Sequence, residues 1–194
     1  MLRRFIRVGM LLCVIIVLLS ALSLTTMGVK AATSSWNGSQ NRFSPNVCGK
    51  WSVVSSPTPN GNSGLSSVAV VSATDVWAVG TSGSQRGSGQ AVIEHWDGTQ
   101  WSVVNSPSTG SLFNTLTGVA VVSASDIWAV GWQANGGPSQ TLIEHWNGKQ
   151  WSVVTSPNPT SIGNELFAVS AVSANDVWTV GHSDSNTLTE HYLC

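Results

Sequence analysis

Residues 65–80 read LSSVAVVSATDVWAVG, and nearly the same words return at 116–131 as LTGVAVVSASDIWAVG and at 166–181 as LFAVSAVSANDVWTVG. A period of about 50 residues, repeated within one chain, marks a stack of like units whose faces are buried only by neighbours. Other blocks keep step with it. WSVV stands at 51–54, 101–104 and 151–154, each time followed three residues later by Pro, and AVIEHWDGTQ (91–100) matches TLIEHWNGKQ (141–150) and the shorter TLTEHYLC (187–194).

Each copy predicts four short strands. In the first, β-branched Val68–Val71 is stopped by Ser72-Ala73-Thr74-Asp75, a cluster of turn formers, and Val76–Val79 is closed by Gly80. The third strand, Ala91–Trp96, and the fourth, Trp101–Val104, are joined through Asp97-Gly98, a hairpin signal because both residues tolerate positive φ; Asn147-Gly148 takes that place in the second copy. Thr81–Gln90, Gly131–Gln140, Gly181–Asn186 and Asn105–Thr115 differ between copies and read as loops. The expectation is an all-β chain of three four-stranded β-propeller-type blades, 51–100, 101–150 and 151–194.

An orphan WSVV at Trp51 precedes the first copy, and none follows Tyr192 in the last. That offset suits circular closure, with the N-terminal strand completing the last blade and removing an open edge. Cys48 and Cys194 map to one point of the repeat, the turn between third and fourth strands, so a disulfide between them would replace a backbone connection. Closure within one chain gives a three-bladed ring, and closure between two chains gives a six-bladed homodimer. Free thiols and a fragment of a longer array are the alternatives.

The S-A-x-D-[VI]-W-x-V-G and E-H-W-[DN]-G-x-x-W-S-V-V elements resemble the kelch or galactose-oxidase-like propeller repeats of exported bacterial proteins, over residues 51–194. The D-G-x-x-W turn is faintly similar to the Asp-box of sialidase-type propellers, although it is one residue shorter. Neither resemblance brings an activity with it. Galactose-oxidase-like copper chemistry wants several tyrosines, and only Tyr192 exists; sialidase-like chemistry wants clustered arginines, and beyond residue 31 only Arg42 and Arg86 remain.

The N-terminus places Arg3, Arg4 and Arg7 before an uncharged apolar run and then Val29-Lys30-Ala31-Ala32. This order is that of a secretory signal peptide spanning 1–31, with 32–50 as a linker. An uncleaved signal anchor, tethering the protein to a membrane, is the alternative. Cys13 reads as filler of the apolar segment. Four of the eight basic residues lie within 1–31 and all nine acidic residues lie beyond it, so the remainder has no basic cluster to meet phosphates and no nucleic-acid partner is expected.

The chemistry-bearing residues recur. Asp75, Asp126 and Asp176, and the Glu-His pairs containing His95, His145 and His191, appear once per copy, which favours hydrogen bonding inside each blade, as in the His, Asp, Ser and Trp network of WD-repeat propellers, over a metal or catalytic site. A ring of three Glu or His holding one ion is the dissenting reading. Trp51, Trp77, Trp96, Trp101, Trp128, Trp146, Trp151 and Trp178 read as inter-blade core. Ligand binding is assigned to residues that do not recur: Trp132 with Gln133 and Asn135, Phe113, and His182. No nucleophile motif or phosphate loop is present, and no cofactor is expected. The chain therefore reads as a secreted, non-catalytic binding or scaffold module for an extracellular protein or glycan; the other reading is a small carbohydrate-active hydrolase or lyase using loop carboxylates such as Glu165 or Asp184.

Overall fold

The computed structural model describes residues 49–83, 88–107 and 112–194. Residues 1–31, most of 32–50, and Cys48 lie outside them. After a 3₁₀ turn at Pro59–Gly61 the described chain is all strand: β1 (Ser63–Ser72), β2 (Asp75–Ser82), β3 (Gln90–Trp96), β4 (Trp101–Val104), β5 (Phe113–Ser123), β6 (Asp126–Ala134), β7 (Gln140–Trp146), β8 (Trp151–Val154), β9 (Asn164–Ser173), β10 (Asp176–Ser183) and β11 (Asn186–Leu193). They form three antiparallel sheets in meander order, β1-β2-β3-β4, β5-β6-β7-β8 and β9-β10-β11, one per repeat. The innermost strand of the middle blade, β5, packs against both β1 and β9.

Directly opposed residues in antiparallel strands share a face, so the register sorts each blade into two. One face of blade 1 carries Ala69, Trp77, His95 and Ser102 in a row. The matching row in blade 2 is Ala120, Trp128, His145 and Ser152. The opposite face of blade 2 presents Val121, Ile127, Trp146 and Trp151, and that of blade 3 presents Ala171, Val177 and Tyr192. Stacking the blades seats the Trp face of one on the aliphatic face of the next, which produces two separate cores of the same design. The first joins Trp77, Val79 and Ile93 to Ile127, Ala129 and Trp151. The second joins Trp128, Val130 and Ile143 to Leu166, Val177 and Leu188. Trp77 and Trp128 are each 4% exposed. Burying about 200 Å² of indole is worth about 5 kcal/mol, several times a single hydrogen bond, so these side chains dominate the junctions.

Not every recurring tryptophan is core. Trp178 remains 44% exposed and Val180 48%, because their face of blade 3 has no blade beyond it. On blade 1 the opposite face is open for the same reason, with Val68 60% and Val70 63% exposed. The third blade has three strands rather than four, and residues 51–58 form no strand. The expected completion of the last blade by WSVV at 51–54 is therefore not formed: Trp51 and Val53 are fully exposed. The two outer faces, that of Val68 and Val70 and that of Trp178 and Val180, do not cover each other. Cys194 is an exposed free thiol 3.2 Å from the Tyr192 hydroxyl.

The turns explain the fixed register. Asp97-Gly98 is the start of a four-residue connection, because Trp96 pairs Trp101, and only the glycine takes positive φ, at +95°. Asp97 Oδ1 accepts bonds from the Thr99 amide and hydroxyl and from the Gln100 amide, at 2.8, 2.6 and 2.9 Å, and these donors hold its carboxyl down at about 2. Gly80, Gly131 and Gly181 are needed for room rather than for φ. A Cβ on Gly131 would lie 2.0 Å from the Thr115 carbonyl oxygen, beside the bulge between Leu116 and Gly118. Gly131→Ala is expected to lower unfolding free energy by about 1–3 kcal/mol in urea titration, from overpacking against main chain. Gly137→Ala, with nothing within 4 Å, should stay within about 0.5 kcal/mol of the parent.

Candidate functional site

Each blade ties its recurring Asp to its recurring His at one end of the sheet. His95 Nε2 lies 2.9 Å from Asp75 Oδ1, and the same pairs measure 2.8 Å for His145 with Asp126 and for His191 with Asp176. In blade 1 the Trp77 indole donates to the same Asp75 oxygen at 2.9 Å. The imidazole rings lie over the tryptophans, with centroids 4.4, 4.3 and 3.9 Å apart in successive blades. Each Asp-His pair is satisfied within its own blade, whereas the Trp128 indole N–H has no hydrogen-bond partner among the described residues, and no group of three His, Cys, Asp or Glu suited to a metal occurs among the described residues.

The non-recurring residues do not converge into one site. Trp132 is not in a loop but in β6, which extends to Ala134, and its ring stacks on Phe113 at 4.7 Å with 16° between planes. One face of that indole is thus occupied by protein. Gln133 pairs in register with Asn114 and Gln140, and Asn135 is exposed in the following turn. His182 belongs to blade 3, in β10, where its ring lies 5.1 Å from Phe167 and its Nε2 3.9 Å from Glu165. Asp184 sits in the β10–β11 turn at φ +54°.

A concavity with a mainly apolar lining lies elsewhere, between blades 2 and 3. It encloses about 440 Å³ between Trp128, Ile143 and Val154 of blade 2 and Leu188, Glu190 and Tyr192 of blade 3. Among the described residues blade 3 has no fourth strand to fill it. In blade 2, Trp151 of β8 fills the corresponding space, 5.6 Å from Trp77 and 5.9 Å from Trp146. In blade 3 no strand among the described residues pairs the outer edge of β11, Tyr192 stands where Trp146 does, and Trp128 lies 5.0 Å from the Tyr192 ring.

Glu190 is the carboxyl in the lining of this groove, which also holds Thr155, Ser156, Thr179 and His191. It corresponds to Glu94 and Glu144, which stand opposite Val103 and Val153 of their fourth strands. Glu144 is fully buried and accepts a 2.7 Å bond from the Ser106 hydroxyl, in the segment that follows β4. The equivalent serine at the groove, Ser156, is instead 2.6 Å from Thr141 Oγ1. Glu190, 9% exposed, has no hydrogen-bond partner for either carboxyl oxygen among the described residues. Desolvation raises Glu94, and raises Glu144 and Glu190 to about 7. The groove is thus an apolar slot with one carboxyl that is largely neutral below pH 7 and available to an NH or carbonyl. Sequence reasoning overlooked it, because Glu190 and Trp128 recur in every copy; the available clue was the missing WSVV beside them.

No protein-family model and no curated protein sequence matches the chain. Among solved structures it is similar to the one titled "YCF48 bound to D1 peptide", at 15% sequence identity and a TM-score of 0.47, over 71% of this chain and 42% of that one. The chain spans less than half the length of that structure.

Glu144 makes stability depend on pH. Its folded pKa, about 7, lies above the unfolded 4.5, so the folded state binds more protons between these values. The stabilisation is complete below pH 4.5 and is lost as pH rises through 7. Urea titrations at pH 4.5 and 7.5 should show Glu144→Gln reducing the fall in stability between them by about 3 kcal/mol, with the share due to Glu190 left in place.

Proposed function

We propose that this protein is an exported, non-catalytic binding module whose blades form a rigid scaffold and whose groove beside β11 receives an extended protein segment. The observation that carries this reading is the unpaired edge of β11 next to an apolar slot. A strand laid along that edge makes main-chain hydrogen bonds, and its alternate side chains fall into the slot, which is how extended peptides are recognised by sheets. The ligand chemistry follows from blade 2, where the occupant of the same place is Trp-Ser-Val-Val. An aromatic residue meets Trp128 and Tyr192, and an aliphatic one two positions on meets Glu190. Export is supported by the charge, apolar run and small-residue order of residues 1–31, and the kelch-like character of the blades by the S-A-x-D-[VI]-W-x-V-G element. A protein ligand fits better than a glycan, since Trp132 is stacked on Phe113 while the groove is walled mainly by apolar side chains, among them Trp128, Ile143, Val154, Val177 and Leu188.

A dye-labelled peptide, Trp-Ser-Val-Val-Ser-Ser-Pro, should bind the chain saturably by fluorescence anisotropy, and Tyr192→Ala should weaken it about tenfold by removing an aromatic contact. Binding should weaken as pH rises through 7, where Glu190 ionises against an apolar ligand. A chain that ignores the peptide at every pH while binding oligosaccharides would remove this reading.

A further inference from the structure

We infer that two copies of this chain close on each other, the Trp51–Val54 segment of each adding to the β11 edge of its partner to complete a six-bladed, two-fold ring. This rests on the groove reading above and names its occupant.

Three observations converge on it. First, the segment leaves blade 1 where an outer strand of a preceding blade belongs. Val54-Ser55-Ser56-Pro57 lines a hollow with Trp96 and Trp101, just as Val104-Asn105-Ser106-Pro107 does with Trp146 and Trp151. In the second case the residues before it are β4, paired in a sheet; in the first, Ser52–Val54 has no strand partner and Val53 is 100% exposed. Second, the vacant edge has the matching register. Trp146 pairs Trp151 and Glu144 pairs Val153 in blade 2, so on β11 the partner's Trp51 falls opposite Tyr192 and its Val53 opposite Glu190. Third, the two open faces are the two halves of the junction already built twice in the chain. Trp178 and Val180 occupy the rows that Trp77 and Val79, or Trp128 and Val130, bury inside the cores. Val68 and Val70 occupy the rows of Val119 and Val121, which face the preceding blade.

Complementary faces at opposite ends of an arc associate head to tail, and such contacts close into a ring only when the rotation permits. The three described blades, doubled by one partner, make six, within the four to eight typical of a propeller. Both junctions of the dimer are then copies of the internal ones, and each chain both gives and receives a strand. The open β11 edge and the Trp178 face are then both covered, and only the short outer edges of the fourth strands stay in water.

Light scattering on the purified chain should give twice the mass of one 20.4 kDa chain. Val53→Asp removes the donated strand and Val180→Asp spoils the receiving face; both positions are exposed in the single chain, so neither substitution should prevent folding. Each variant alone should lose the dimer, and an equimolar mixture should regain it, because one junction of the mixed pair is intact. Excess Trp-Ser-Val-Val-Ser-Ser-Pro should halve the wild-type mass. A monomeric wild type that still binds the peptide overturns the dimer and leaves the groove reading standing. A dimer that survives both substitutions also overturns it, whereas a monomeric Val53→Asp chain that fails to bind the peptide sinks the groove reading itself.

Discussion

Everything in this molecule depends on the fact that a four-stranded sheet with apolar residues on both faces cannot be stable alone. Trp77 on one side and Val70 on the other belong to the same blade, and no fold of one blade hides both. Stacking is the only outlet, and the chain uses it twice, with Trp77 and Trp128 as the anchors. Stability is then a nearest-neighbour property, as in other repeat proteins, and the ends of the stack are where it stays unsatisfied.

Polar groups are arranged around that constraint. The Asp-His pairs lie beside the tryptophans and hold ring orientation with bonds of 2.8 to 2.9 Å, at positions only partly shielded from water. The glutamates lie deeper, on the opposite face, where burial raises their pKa values. Glu144 shows what the buried carboxyl accepts when a junction is complete, a serine hydroxyl from the preceding blade's exit segment. Glu190 is the same carboxyl without such a donor, at the wall of an open groove.

The strand plan was legible because the repeat supplied it three times. Trp101–Val104 has the boundaries read from sequence, while the strand expected at Val68–Val71 runs from Ser63 to Ser72. That extension was hidden by serines and a glycine, residues of low strand propensity that pair here because Ser82 and Thr81 oppose them. Trp132 was misread for a related reason: variable sequence suggested a loop, yet β6 carries it as ordered strand against Thr115. The groove was least legible, since no residue marks it. It is made by a strand's absence, and its walls are ordinary members of the repeat.

The stretches between second and third strands differ in every blade, occupying 83–89, 135–139 and 184–185, yet Ala78 still opposes Glu94, Ala129 opposes Glu144 and Thr179 opposes Glu190. Alignment is set at the other end, by the tight turns around Asp75 and Asp97 and their counterparts, so length gained or lost at the variable tips is not transmitted into the sheet. Such an architecture separates what can drift from what must not. A lineage can lengthen, shorten or replace those tips one blade at a time and keep a folded protein at every step.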